Sequence, residues 1–252
     1  MDIDKIDNII NNKIIFKVEI KKENEKFEKV YEGNNNSCSI NNLIKNTNYE
    51  IRICSLYNNL FKESPIQKIK TLESKILLES KRQFEFLEKL YEWIGCKNME
   101  LIYRGTRDGM TNTSFFNKCA NQGQTIILIQ NDKDYIFGGY ASEPWKNNTN
   151  GSLESAPESF LFTLINMYNT QPTKFQSKND NNEIQQYSSS YGPIFGGGID
   201  LGVYKDILKD GGWSNFPFTF QDSLKKGKSI FTGDNNNNFF KIKEIEVFKV
   251  FK

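Results

Sequence analysis

Residues 191–204 read YGPIFGGGIDLGVY, and the reading of this stretch decides the fold. Gly196, Gly197 and Gly198 stand between Tyr191, Ile194 and Phe195 on one side and Ile199, Leu201, Val203 and Tyr204 on the other. Three glycines are entropically wasteful in a solvated linker. Among apolar flanks they serve a packed structure, through positive φ or a close backbone approach. Tyr135-Ile-Phe-Gly-Gly-Tyr140 repeats the pattern with Gly138 and Gly139. Both stretches read as strands that bend, bulge or meet another layer at glycine. Neither is a phosphate loop, because GxxxxGK[ST] and GxGxxG are absent from both. Alanine at Gly197 is expected to cost about 1–3 kcal/mol through strain or a core clash.

The chain on either side predicts more strands. Downstream, residues 229–231 give a short strand. Residues 239–251 give a long one whose alternation slips phase between Ile242 and Ile245, predicting a bulge at Lys243 and Glu244. Upstream, residues 125–130 (TIILIQ) are nearly all apolar and predict a central strand. A turn over 131–134 returns the chain along 135–140 as an antiparallel hairpin. Residues 160–165 (FLFTLI) form another buried strand, with shorter ones at 100–104, 184–188 and 194–195. Residues 104–109 are a polar turn. Residues 113–119 are a short helix turning Phe115, Phe116 and Cys119 inward. This order is mostly β with flanking helices, an α+β fold of antiparallel sheets rather than a doubly wound one.

The period changes in residues 73–98. Phe84, Leu87, Leu90, Tyr91 and Ile94 recur at helical spacing, Ser80 with Gln83 predicts a capping box, and Gly95 predicts the stop. Ahead of this helix, residues 14–20 alternate as a half-buried strand. Further short strands follow at 27–31, 37–40, 49–54 and 66–71, making a small all-β unit over 1–72. Leu43, Thr47 and Tyr49 resemble the approach to a late strand of a fibronectin type III domain, where the tyrosine fills a tyrosine corner. Lys45 stands where that family carries proline, and too few residues precede Ile14 for a full module. The resemblance is therefore to a partial unit.

The chain has 252 residues, 37% of them hydrophobic, including 20 Phe and 11 Tyr, enough for a sizeable core filled largely by aromatics. Lys and Arg total 33 and Asp and Glu 31, so the net charge is +2. No basic stripe marks a nucleic-acid face. Asparagine runs at 34–36 and 235–238 read as loop insertions. The sequence contains no His, which excludes Ser-His-Asp and Cys-His catalysis within it and His-based metal sites. Cys38, Cys54, Cys96 and Cys119 form no CxxC pair. With no secretion signal, transit peptide, lipidation motif or 18-residue apolar run in view, four reduced thiols in a cytoplasmic protein are expected.

Leu101-Ile-Tyr-Arg-Gly-Thr-Arg-Asp-Gly109 and Phe115-Phe-x-Lys-Cys119 resemble the opening of a TLDc domain. Ile136-Phe-Gly-Gly-Tyr140 with Ser142-Glu-Pro-Trp145 resembles its second block, and Ser159-Phe-Leu-Phe-Thr-Leu164 its third. Ser190-Tyr-Gly-Pro-Ile-Phe-Gly-Gly-Gly198 with Asp200 and Leu201 resembles the glycine-rich centre, and Lys243-Glu-Ile-Glu-Val-Phe248 the closing strand. These blocks follow family order and place the domain at 77–252, with 73–98 as a connecting helix. The family resemblance implies a two-sheet antiparallel β-sandwich flanked by helices. It implies protection against oxidative stress, no settled enzymatic activity and no cofactor. It also implies binding to the vacuolar proton-pumping ATPase, with its peripheral-stalk and catalytic-head subunits as candidate partners on acidic organelles.

The acids in these blocks are Asp108, Glu143, Glu158, Asp200, Glu244 and Glu246. Their spacing pairs none of them for hydrolysis or cation binding. Asp108 sits between arginines that can satisfy it, and Asp200 follows glycines whose N–H groups it can accept. Glu143 and Trp145, an acid and a large aromatic in a polar loop, suit an interface hot spot. The candidate interface is therefore Arg104, Arg107, Asp108, Glu143, Trp145 and Asp200. The alternative is that these turns close one end of the sandwich. A generic scaffold, or a hydrolase or metal-dependent enzyme using the carboxylates, are the competing functions.

Overall fold

The computed structural model describes residues 14–35, 37–38, 40, 43, 47–57, 60–71, 73–96, 98–146, 153–178, 184–186 and 191–252. The chain divides into two units, Met1–Glu73 and Ser74–Lys252.

The first unit is one antiparallel sheet of β1 (Ile15–Lys22), β2 (Glu28–Gly33), β3 (Asn48–Tyr57), β4 (Leu60–Glu63) and β5 (Gln67–Lys70), in the order β2-β1-β3-β4 with β5 also on β3. β4 and β5 share one edge of the long β3, pairing its two halves. Ser64 bridges the break: its N–H donates to the Ile53 carbonyl at 2.8 Å and its hydroxyl accepts the Ile53 N–H at 3.0 Å. Pro65 follows where no donor is required. Alternation in β1 buries Val18 and Ile20. Between them, Glu19 turns to the other face, into a charge ladder. Lys17 and Arg52 reach its carboxylate at 2.5 and 2.6 Å, and Arg52 stacks 4.4 Å from the Phe27 ring centre. Residues 37, 38 and 40 are not strand, contrary to the expected strand over 37–40. A second sheet facing this one, as a fibronectin sandwich requires, is not among the described residues.

The second unit begins with α1 (Lys75–Leu78), α2 (Gln83–Ile94), β6 (Asn98–Arg104), α3 (Gly105–Asp108) and α4 (Asn112–Cys119). It continues with β7 (Thr125–Asn131), β8 (Ile136–Ala141), β9 (Leu153–Ser155), β10 (Phe160–Ile165), β11 (Thr173–Phe175), β12 (Ile184–Gln186), β13 (Tyr191–Phe195) and β14 (Leu201–Tyr204). It closes with α5 (Ile207–Asp210), β15 (Gly212–Trp213), α6 (Ser229–Thr232), β16 (Phe239–Phe240) and β17 (Ile242–Phe251). One six-stranded sheet runs β11-β10-β8-β7-β17-β6 and another β16-β15-β14-β13-β12-β9. The fold is α+β, with three antiparallel sheets among the described residues and none of them closed into a barrel.

β7 is buried at every position, so its unbroken apolar run marks a central strand covered on both faces. The core joins side chains of both sheets: Phe137 of β8 meets Phe240 of β16 at 5.1 Å, edge to face. The glycines permit this approach. A Cβ on Gly139 would lie 2.7 Å from the Phe195 ring, and one on Gly138 1.8 Å from the Ile127 carbonyl oxygen. In the 196–198 run the constraint falls on the outer two. Gly196 has φ 82°, and a Cβ on Gly198 would lie 2.3 Å from Phe218. Gly197 is exposed, has no positive φ, and donates its N–H to Thr219 Oγ1 at 2.9 Å. The expected constraint at Gly197 is thus shifted to its neighbours.

Three local expectations also change. Residues 229–231 belong to helix α6, not a strand. The strand expected over 239–251 divides at Lys241: β16 pairs with β15 in one sheet, and β17 enters the other between β7 and β6. The bulge forms as expected, between Ile242 and Glu244. α2 ends on left-handed Gly95 but lacks the capping box. Ser80 Oγ accepts the Arg82 N–H instead, and the buried face is Phe86, Leu90 and Ile94, with Phe84 exposed.

Candidate interaction site

β17 carries two buried acids that organise one end of the second unit. Two residues apart, Glu244 and Glu246 share one face of β17, and both are buried, at 1% and 0% exposure. Glu246 accepts from four donors: the Ser74 hydroxyl at 2.7 Å, the Lys75 and Ile76 N–H groups at 2.8 and 3.4 Å, and Arg104 Nε at 2.7 Å. Ser74 in turn caps α1 by accepting the Leu77 N–H. Glu244 accepts the Thr106 N–H at 3.1 Å and its hydroxyl, and Lys75 Nζ at 3.3 Å. A buried carboxylate is tolerable only when its oxygens are so occupied. The pair therefore clamps α1 and α3 onto β17.

Asp108 closes α3. It accepts the Arg104 N–H at 2.9 Å and Arg107 Nη2 at 2.8 Å, with Lys118 Nζ 4.0 Å away. The Arg107 guanidinium beside it, helped by the Arg104 N–H, holds its carboxyl below the usual aspartate range. Lys118 lies in the last turn of α4, whose N-cap is Thr111. Beyond that turn Ala120 bridges to Trp145, and the Asn121 N–H donates to the Trp145 carbonyl at 2.8 Å. The segments holding Arg107, Lys118 and Glu143 are thus neighbours, linked through α4. Arg107, Lys118 and Glu143 are all exposed.

Trp145 and Asp200, expected at this surface, are elsewhere. Trp145 has 0% exposure. Its ring lies edge to face with Phe115 at 5.7 Å and Phe195 at 5.5 Å, and its indole N–H donates to Thr125 Oγ1 at 2.8 Å. It closes the core over the Gly138–Gly139 hairpin rather than offering a surface anchor. Asp200 is fully buried and accepts the N–H groups of Phe218 (2.6 Å), Thr219 (2.8 Å) and Phe220 (3.4 Å). Burial pushes its carboxyl up while these N–H groups pull it back. Asp200 thereby shapes the turn that seats Phe218 against Gly198. Arg104 is committed to Glu246, which leaves Arg107, Asp108 and Glu143 as the surface members of the expected set.

Sequence reasoning missed the Glu244–Glu246 clamp, although the phase slip beside it was visible. Two acids close together on a bulged strand with apolar neighbours were the available signal. Cys119 is buried, and burial pushes its thiol well up, so it packs as an apolar residue. Among the described residues, Cys38, Cys54, Cys96 and Cys119 are free thiols, and no three Asp, Glu or Cys side chains come together with metal-site geometry. Among those residues no helix is long and apolar enough to cross a membrane.

The chain belongs to the TLDc domain family, whose model matches residues 71–251. Among curated proteins it is similar to human interferon-induced protein 44, 27% identical over 111 residues, covering 38% of this chain and 24% of that protein. It is also similar to zebrafish MTOR-associated protein MEAK7, 26% identical over 65 residues, covering 26% of this chain and 14% of that one. The chain thus spans about a quarter or less of the length of these relatives.

Proposed function

We propose that the second unit is a non-enzymatic protein-interaction module, acting in the oxidative-stress response by binding the vacuolar proton-pumping ATPase and regulating its assembly. One observation carries the non-enzymatic reading: the acids of the family blocks that lie inside are already spent. Glu246 holds four donors, Glu244 holds Thr106 and Lys75, and Asp200 holds three backbone N–H groups. A general acid or base needs a carboxylate that a substrate can reach. The two sheets of this unit are read as the family's sandwich, and the first unit as a fibronectin-like appendage of one sheet.

The binding surface in this reading is the α3–α4 corner with the Glu143 loop. Arg107, Lys118 and Glu143 present both signs of charge on elements held by the clamp and by Trp145 beneath. Such groups steer and orient a partner through charge-assisted hydrogen bonds. The module works in the cytoplasm and reaches acidic organelles through its partner. Affinity capture with the full chain from stressed and unstressed cells tests this. Wild type is expected to recover peripheral-stalk and catalytic-head subunits of the pump, and Arg107→Glu with Glu143→Lys is expected to lose them. Equal recovery by both proteins would remove this surface from the account, and recovery of no pump subunit would remove the pump.

A further inference from the structure

Away from that corner, a cleft of about 330 Å³ opens between the end of α2, β8, β10 and the segment after β11. That volume is at the lower end of small-molecule sites, which run about 300–1,000 Å³. Trp93, Tyr140, Phe160, Glu158, Lys174 and Gln176 are among its lining residues. Tyr140 is 2% exposed, and among the described residues its hydroxyl is buried without a hydrogen-bond partner. A buried donor left without an acceptor is destabilising unless something pairs with it. Burial raises the phenol, so it remains a proton donor at neutral pH.

Two ammonium groups flank the cleft, Lys174 at the Phe160 side and Lys252 beside the Tyr140 ring. Lys174 Nζ donates to the Trp93 carbonyl at 3.3 Å and sits 4.2 Å from the Phe160 ring centre. Its charge is therefore brought to the cleft by a carbonyl and a ring face. Lys252 Nζ lies 5.8 Å from the Tyr140 ring centre and pairs with Glu158 at 2.9 Å. Lys252 is near enough to favour the phenolate electrostatically, but its geometry does not complete a hydrogen bond to the oxygen. By pairing with Glu158 it also neutralises the acid in the cleft wall.

We propose that this cleft binds a small organic anion, a phosphate monoester or a carboxylate, through the Tyr140 hydroxyl and the Lys174 ammonium. An anionic oxygen is the acceptor that an O–H donor and an ammonium share. Tyr140 and Phe160, 5.1 Å apart, and Trp93 form the aromatic wall. Gln176, in the cleft wall, and Lys252, beside the Tyr140 ring, are both exposed.

The test is calorimetric titration of the full chain with inorganic phosphate, phenyl phosphate, benzoate and, as the neutral control, phenol. Phenyl phosphate or benzoate is expected to bind at least tenfold tighter than phenol, and the stronger of them assigns the head group. Tyr140→Phe is expected to weaken that binding at least tenfold with an unchanged or higher melting temperature, since it removes an unpaired buried hydroxyl. Lys174→Met is expected to weaken it comparably. The proposal is overturned if no organic anion binds better than phenol, if both variants bind as wild type does, or if Tyr140→Phe melts markedly lower, which would show that the hydroxyl is already satisfied.

Discussion

A methyl group on Gly138 would sit 1.8 Å from the Ile127 carbonyl oxygen, a backbone atom held in the β7–β8 ladder. Gly138→Ala is therefore expected to lower stability by about 3 kcal/mol, at the upper end of overpacking costs. Gly197→Ala, at the exposed tip of its turn, is expected to stay within about 0.5 kcal/mol of wild type. Denaturant midpoints for the two variants check both figures. Sequence alone showed that glycine mattered in the run of three. Which glycine carried the constraint depended on the dihedrals of one turn and on Phe218, twenty residues from Gly198. Trp145 failed differently: a polar loop suggested exposure, while Phe115, Phe195 and Thr125 were arranged to bury it. Trp145→Ala is expected to cost about 3–5 kcal/mol, the usual loss for a buried aromatic.

Asp108 and Asp200 titrate in opposite directions from one ordinary value. The folded carboxyl of Asp108 is depressed, so its contribution is fully present above the unfolded pKa and is lost as pH falls through the folded one. That of Asp200 is raised, so folding favours its protonated form. Its burial cost is present above the folded pKa and is relieved as pH falls through it toward the unfolded one. Carboxyl-carbon NMR titration should place the Asp200 midpoint above, and the Asp108 midpoint below, that of an exposed aspartate. The reverse order would contradict the burial that dominates at Asp200 and the Arg107 pairing that dominates at Asp108.

At the scale of elements, β17 does the most. It pairs with β7 and β6, and the two buried acids on one of its faces hold α1 and α3. Glu246→Ala leaves the Arg104 guanidinium and two helix N–H groups without their acceptor. The expected cost is about 3–5 kcal/mol, as for other broken buried ion pairs. Hydrogen exchange should quicken first at the amides of Lys75 and Ile76. Unchanged protection there would show that the clamp is incidental. The bulge was legible because a period-2 pattern records a one-residue slip. The clamp was not, because Ser74 lies 172 residues away along the chain and no local pattern encodes such a meeting. α6 was misread as strand because its residues 229–231 are too few to display a period.

At the scale of the molecule, the sequence changes from period 2 to period 3.6 near residue 73, and the structure divides between Glu73 and Ser74. Produced alone, residues 74–252 are expected to give dispersed amide spectra and one cooperative melting transition, since the Ser74 cap and its Glu246 partner stay together. The order of the family-like blocks made the TLDc family legible before any contact was known. The arrangement of the candidate site was not, because exposure decides which charged and aromatic groups a partner can touch.

We propose that buried acids and Trp145 build the module while exposed charge around α3 and α4 binds the pump. Isothermal titration of the purified full chain into purified peripheral-stalk and catalytic-head subunits measures it directly. Saturable binding is expected for wild type, with a loss of about 2 kcal/mol or more in Arg107→Glu with Glu143→Lys, as for hot-spot residues, and a melting temperature lowered only by loss of the Arg107–Asp108 pair. Equal binding by the variant, or no heat from wild type at any subunit concentration above the detection limit, would contradict it.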